Sequence, residues 1–141
     1  IICYYLNTKK RREMLVQGKI KKVRLTNAQR GVDGFMTIKP ATAYEIMKED
    51  CLIIEVSVPE YYDEMHVVGA VSIPLEVLSE KIDEMNLDPN KTILVYGRAE
   101  EKSKQGAQLL VDKGFKDVYE FGSIMDWPFD VVLQEENETS L

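Results

Sequence analysis

Two apolar runs set the terms for this chain. Cys51-Leu52-Ile53-Ile54-Glu55-Val56 is closed by Pro59, and Thr92-Ile93-Leu94-Val95-Tyr96 follows the turn Asp88-Pro89-Asn90-Lys91. Neither run alternates apolar with polar residues. A strand without alternation is buried on both faces, so its sheet needs a covering layer on each side. Parallel strands of this kind need long crossovers, and the intervening segments supply them. Pro40 with Ala41, Tyr44, Ile46 and Met47 reads as a short helix with proline in its first turn. Glu60–Met65 reads as a short helical turn and Ala70–Pro74 as a short strand. Leu75, Leu78, Ile82 and Met85 fall at helical spacing, with the acids of 76–84 on the wet face. A third helix starts near Lys104 and stops before Gly114, and Val118–Phe121 is a further strand broken by Gly122. Strands alternating with helices at this pace predict an α/β domain with a central, mainly parallel sheet flanked by helices.

At 141 residues the chain has the length of one domain with a real core. The net charge of −6 conceals a division. Residues 1–30 hold nine Lys/Arg and one acid, whereas residues 31–141 hold nine basic and 23 acidic residues. The expected organisation is a basic arm or linker over 1–35, a domain over 36–133 and an acidic tail over 134–141. The arm lacks a clean hydrophobic period and ends in the turn signal Gly31-Val32-Asp33-Gly34. An acidic body argues against nucleic acid as a partner, while the basic residues of 9–24 suit an anionic membrane surface. Ile1–Leu6 is apolar and too short to span a bilayer. Followed at once by Lys9-Lys10-Arg11-Arg12, it fits the end of a longer anchor with its basic flank on the cytoplasmic side. The plainer alternative is a polar leader with a few apolar residues.

Cys3 and Cys51 lie far apart and form neither a disulfide framework nor a zinc motif. No cofactor or metal is expected. The second apolar run leads through Gly97-Arg98-Ala99-Glu100-Glu101-Lys102-Ser103 into a helix. Strand, polar loop and helix N-terminus make an anion cradle, because unpaired backbone N–H groups converge there.

Four blocks, in order, resemble the rhodanese-like family. They are Leu52–Ser57; Glu60-Tyr61-Tyr62-Asp63-Glu64-Met65-His66-Val67-Val68-Gly69-Ala70, running on to Pro74; Val95-Tyr96 with the loop 97–103; and Lys113–Val118 with Gly122–Pro128. The resemblance covers roughly residues 36–132 and implies a three-layer domain whose cradle loop opens with a cysteine carrying sulfur as a persulfide. Here Gly97 stands at that position, Ala99 at the small hydroxyl residue, Glu100 at a glycine and Lys102 at an arginine, while Arg98 and Ser103 match. Glu55 and Ser57 replace the family's Asp and Arg. The resemblance makes His66 a structural residue, and Trp127 reads as a packing anchor under the rim. Ser103 reads as a helix cap and Cys51 as a small core residue. No catalytic residue is expected. The primary expectation is a catalytically silent module that binds a protein or small anion through 97–103. The alternatives are a thiosulfate or persulfide sulfurtransferase using another thiol, and a membrane-tethered structural domain with a lipid-contacting arm.

Overall fold

In the computed structural model, the structure describes the backbone of residues 3–8, 11–16 and 19–23, and residues 34–135 with their side chains. Backbone strands are described within the segment read from sequence as a basic arm or linker. Strands β1 (Cys3–Thr8), β2 (Arg11–Val16) and β3 (Lys19–Val23) form an antiparallel meander in the order β1-β2-β3. Charged residues interleave with Tyr4, Tyr5, Leu15, Val16, Ile20 and Val23, which hides any period, yet the β-branched and aromatic types favour strands. The register runs from Cys3↔Val16 to Thr8↔Arg11 between β1 and β2, and from Arg12↔Val23 to Val16↔Lys19 between β2 and β3. Part of the predicted lipid-contacting stretch 9–24, most of the turn at 31–34, and 136–141 of the acidic tail lie outside the described residues.

The predicted α/β core is present. β4 (Met36–Thr37), β5 (Leu52–Glu55), β7 (Val71–Ser72), β8 (Thr92–Gly97) and β9 (Asp117–Ser123) form a five-stranded sheet in the order β4-β9-β8-β5-β7. Every pairing in it is parallel. The helices are α1 (Pro40–Ile46), α2 (Pro59–Glu64), α3 (Leu75–Met85) and α4 (Glu100–Asp112). Proline occupies the first turn of α1 and of α2, where its missing N–H costs nothing.

The two apolar runs bury both faces, as their patterning requires. On one face Ile54, Val56, Ile93, Val95 and Val118 meet Leu78 and Ile82 of α3 and Ala107 and Leu110 of α4. On the other, Ile53, Leu94, Tyr96, Tyr119 and Phe121 meet Ala43 and Ile46 of α1, with Trp127. Gly106 lets α4 lie close to the sheet: a Cβ there would stand 3.0 Å from Val56 Cγ1 and 3.1 Å from Val95 Cγ1. No described helix is long and apolar enough to cross a membrane.

Three short elements escaped the sequence pattern. β4 is one, and β6 (Met65–Val67) and β10 (Val131–Leu133), which pair antiparallel, are the others. Runs of two or three residues carry no measurable period. The β10 pairing extends into the expected tail, where Gln134 N–H donates to the Glu64 carbonyl at 3.0 Å. Gly122 does not end its strand. It sits inside β9 at φ +79°, a conformation open to glycine, beside a register shift against β8.

Ile54 is fully buried at the centre of one face. Ile54→Ala is expected to lower unfolding free energy by about 2–5 kcal/mol, measured by urea denaturation.

Candidate functional site

The carboxyl ends of β5, β8 and β9 open toward one edge of the sheet. In open α/β sheets this edge is where ligands are held. Gly97 closes the central strand β8, and α4 begins three residues later at Glu100. The expected seven-residue loop is therefore a two-residue connection, Arg98–Ala99. Glu100, Glu101, Lys102 and Ser103 belong to the helix. The reason is local: Glu and Lys are good helix formers, and two acids in the first turn complement the positive end of the helix dipole. The N-cap is Ala99, whose side chain makes no cap bond.

Ser103 is thus not the cap. It is fully buried, and its hydroxyl is shared between Glu120 Oε2 at 2.8 Å and the Val95 carbonyl at 3.2 Å. Glu120, missed by the sequence reading, is 1% exposed. Its Oε1 accepts from Thr37 Oγ1 at 2.7 Å, and its Oε2 also accepts from the Gly122 N–H at 2.9 Å. One carboxylate ties β4, β9 and the first turns of α4 together under the mouth. A lone acid inside an apolar strand was the available signal.

The opposite face has a second buried acid. Glu55 is fully buried, Ser57 Oγ donates to its Oε2, and its carboxylate faces the Tyr96 phenol. Burial pushes the Tyr96 phenol up, the Val67 bond opposes this, and Glu55 adds to it, so the phenol stays protonated. Tyr96 OH accepts from Val67 N–H at 3.0 Å. His66 stacks on the Tyr62 ring at 3.8 Å, and its Nδ1 is 2.8 Å from the Tyr62 carbonyl. Tyr62 OH donates to the Ala70 carbonyl at 2.7 Å. These contacts hold the chain between α2 and β7. Trp127 packs among Tyr44, Phe121 and Phe129, and its Nε1–H reaches the Asp130 carbonyl at 3.3 Å.

The basic side chains of the mouth are engaged in part. Arg98 lies 5.0 Å over the Tyr61 ring, donates through Nη2 to the Tyr61 carbonyl at 3.0 Å and sits 3.9 Å from Glu64 Oε2. Ser123 Oγ donates to the Arg98 carbonyl at 2.7 Å and fixes the turn. Lys102 Nζ is 4.0 Å from Glu76 Oε1. Glu100 and Glu101 are exposed at the rim. What remains for a ligand is the buried, unpartnered Nε–H of Arg98 and the backbone N–H groups of the first helical turn, ahead of the first intrahelical bond.

A Cβ built on Gly97 meets Val56 Cγ2 at 3.5 Å, the Ala99 carbonyl at 3.7 Å and Lys102 Cβ at 3.8 Å, ordinary contacts throughout. Cys51 precedes β5, at the opposite end of the sheet and roughly 13 Å of strand from Glu55. Burial raises its thiol to about 11, with Lys91 lowering it and Asp50 raising it further. The described residues contain no cluster of ligands suited to a metal ion.

Two measurements check this account. Glu120→Ala removes the acceptor shared by Thr37, Ser103 and Gly122 and is expected to cost about 2–4 kcal/mol of stability, with Glu120→Gln costing less, both by chemical denaturation. Because a raised pKa keeps the thiol protonated, Cys51 is expected to react with iodoacetamide about a hundredfold more slowly at pH 8 in the folded than in the unfolded chain. Its rate climbs with pH until about 11, followed by peptide mapping.

Comparison with known proteins agrees with this architecture. The rhodanese-like domain profile matches residues 39–128. Thiosulfate sulfurtransferase PspE of Escherichia coli is 38% identical over 73 residues, 52% of this chain and 70% of that protein. Thiosulfate sulfurtransferase GlpE of Coxiella burnetii is 32% identical over 95 residues, 66% of this chain and 87% of that protein. Among solved structures, a rhodanese with anions from Escherichia coli superposes with a TM-score of 0.55 at 35% identity, covering 58% of this chain and 96% of that one. The rhodanese-like domain of an Anabaena protein gives 0.65 at 23% identity over 74% and 84%, a likeness of fold. Profile, relatives and architecture agree, and the chain belongs to the rhodanese-like domain family.

Proposed function

We propose that this rhodanese-like domain is catalytically silent and serves as a binding or regulatory module through its β8–α4 mouth. One observation carries the reading: the residue that closes β8 beside the α4 N-terminus is Gly97. Sulfur transfer from thiosulfate requires a thiolate that attacks the sulfane sulfur, releases sulfite and keeps the sulfur as a persulfide, which then passes to an acceptor nucleophile. Glycine offers no atom for that bond. Loss of a nucleophile removes the covalent route itself rather than a modest factor.

The surroundings support the same reading. Glu100 and Glu101 place negative charge where an anionic donor and a thiolate would need positive potential. Arg98 and Lys102 face Glu64 and Glu76. The Cys51 thiol is protonated at neutral pH and lies at the far end of β5, which disfavours it as a stand-in nucleophile. Backbone donors at the helix start still suit a small anion or an acidic group on a protein surface.

The test is thiosulfate-to-cyanide sulfur transfer on the native chain beside Gly97→Cys. The native chain is expected to stay at background. Gly97→Cys is expected to acquire turnover, since its Cβ fits, and to gain more when Glu100→Gln and Glu101→Gln are added. Turnover by the native chain would overturn the proposal.

A further inference from the structure

The strand register of the N-terminal meander sorts its charges between two faces. Residues directly opposite one another in an antiparallel pair share a face, and successive residues alternate between faces. The register Asn7↔Arg12 and Tyr5↔Met14 between β1 and β2, with Met14↔Lys21 and Val16↔Lys19 between β2 and β3, therefore places Arg12, Lys19 and Lys21 on one face. No acid shares that face among the described residues. The three cations fall on successive rows, about 7 Å apart along the strands. The same rows hold Tyr5, Met14 and Val16. The other face is composed differently. Tyr4, Leu15 and Ile20 form an apolar row across all three strands, Glu13 stands opposite Lys22, and Arg11 lies beyond them. One face thus concentrates uncompensated positive charge among apolar residues, while the other pairs its acid with a cation.

We propose that the face carrying Arg12, Lys19 and Lys21 is a docking surface for a bilayer that contains anionic lipid. Its composition is interfacial: basic residues attract the headgroups, and tyrosine and aliphatic residues on the same rows suit the boundary between headgroup and acyl chain. Single-stranded nucleic acid is the other extended polyanion, and proteins that hold it offer several aromatic residues on which successive bases stack. This face has one, Tyr5. Residues 31–141 hold 23 acids against nine bases, so a negative surface attracts the meander and repels the body. That division of charge orients the approach, with the meander toward lipid and the body toward solvent. The basic face shares no residue with the β8–α4 mouth, and the two stand or fall separately.

Cosedimentation of the full chain with phosphatidylcholine vesicles, with and without phosphatidylserine, tests the proposal. Binding is expected only with phosphatidylserine and is expected to fall as salt is added. Lys19→Gln with Lys21→Gln is expected to weaken it about thirtyfold, through two cations lost at the lipid surface. Arg11→Gln with Lys22→Gln removes the same charge from the other face, about a Debye length further from the lipid, and is expected to weaken it less than about threefold. Asn7→Lys adds a cation to the basic face and is expected to tighten binding about fivefold, whereas Thr8→Lys, on the other face, is not. A gain of this kind does not arise from misfolding, and circular dichroism confirms that the glutamine variants are folded. Absence of binding, binding indifferent to phosphatidylserine, equal losses from the two glutamine pairs, or capture of a single-stranded oligonucleotide in preference to the vesicles overturns the proposal.

Discussion

Burial of β8 on both faces is the constraint from which the rest of this domain follows. Ile93, Leu94, Val95 and Tyr96 are closed off from water, so side-chain chemistry has no outlet along the length of the strand. The strand can meet solvent only where it ends. Its amino end meets the turn before Thr92, and its carboxyl end meets Gly97 and α4. The covering layers serve that geometry. α4 approaches closely because Gly106 has no side chain, and the aromatic group around Trp127 fills the other face.

Within this frame the two buried carboxylates do different work. Glu120 accepts hydrogen bonds from three groups, and its charge is compensated by donors that belong to different elements. Such an acid is tolerated in a core because every lone pair in use replaces one that water would have filled. It also sets the height of α4 above the strand ends, and with it the position of the free N–H groups. Glu55 instead lies on the opposite face of the sheet at the end of β5, where it accepts from Ser57 through Oε2 and its Oε1 is buried without a partner beside the Tyr96 phenol.

The parts of this architecture visible in sequence are those with strong local causes. β5 and β8 announced themselves as apolar runs without alternation, α3 through Leu78 and Ile82, and the first turns of α1 and α2 through their prolines. The start of α4 was misplaced because Glu100–Ser103 is polar, and polarity suggests a loop when the helix dipole is left out. Glu120 passed as an ordinary strand residue because its partners Thr37 and Ser103 are distant in sequence. The diversion of Arg98 onto Tyr61 depends on α2 folding back over the turn, which no spacing rule encodes. The N-terminal meander was hidden by charge alternating with apolar residues, a pattern equally compatible with a solvated arm.

The space around Gly97 has a consequence for how this chain could change. Its nearest would-be neighbours stand 3.5 Å or more away, and its φ is not one reserved for glycine. Architecture therefore does not demand glycine there. Glycine and cysteine codons can differ by a single base, so no steric wall separates the present mouth from one bearing a thiol. What a thiol there would meet is charge, in the two glutamates of the first α4 turn.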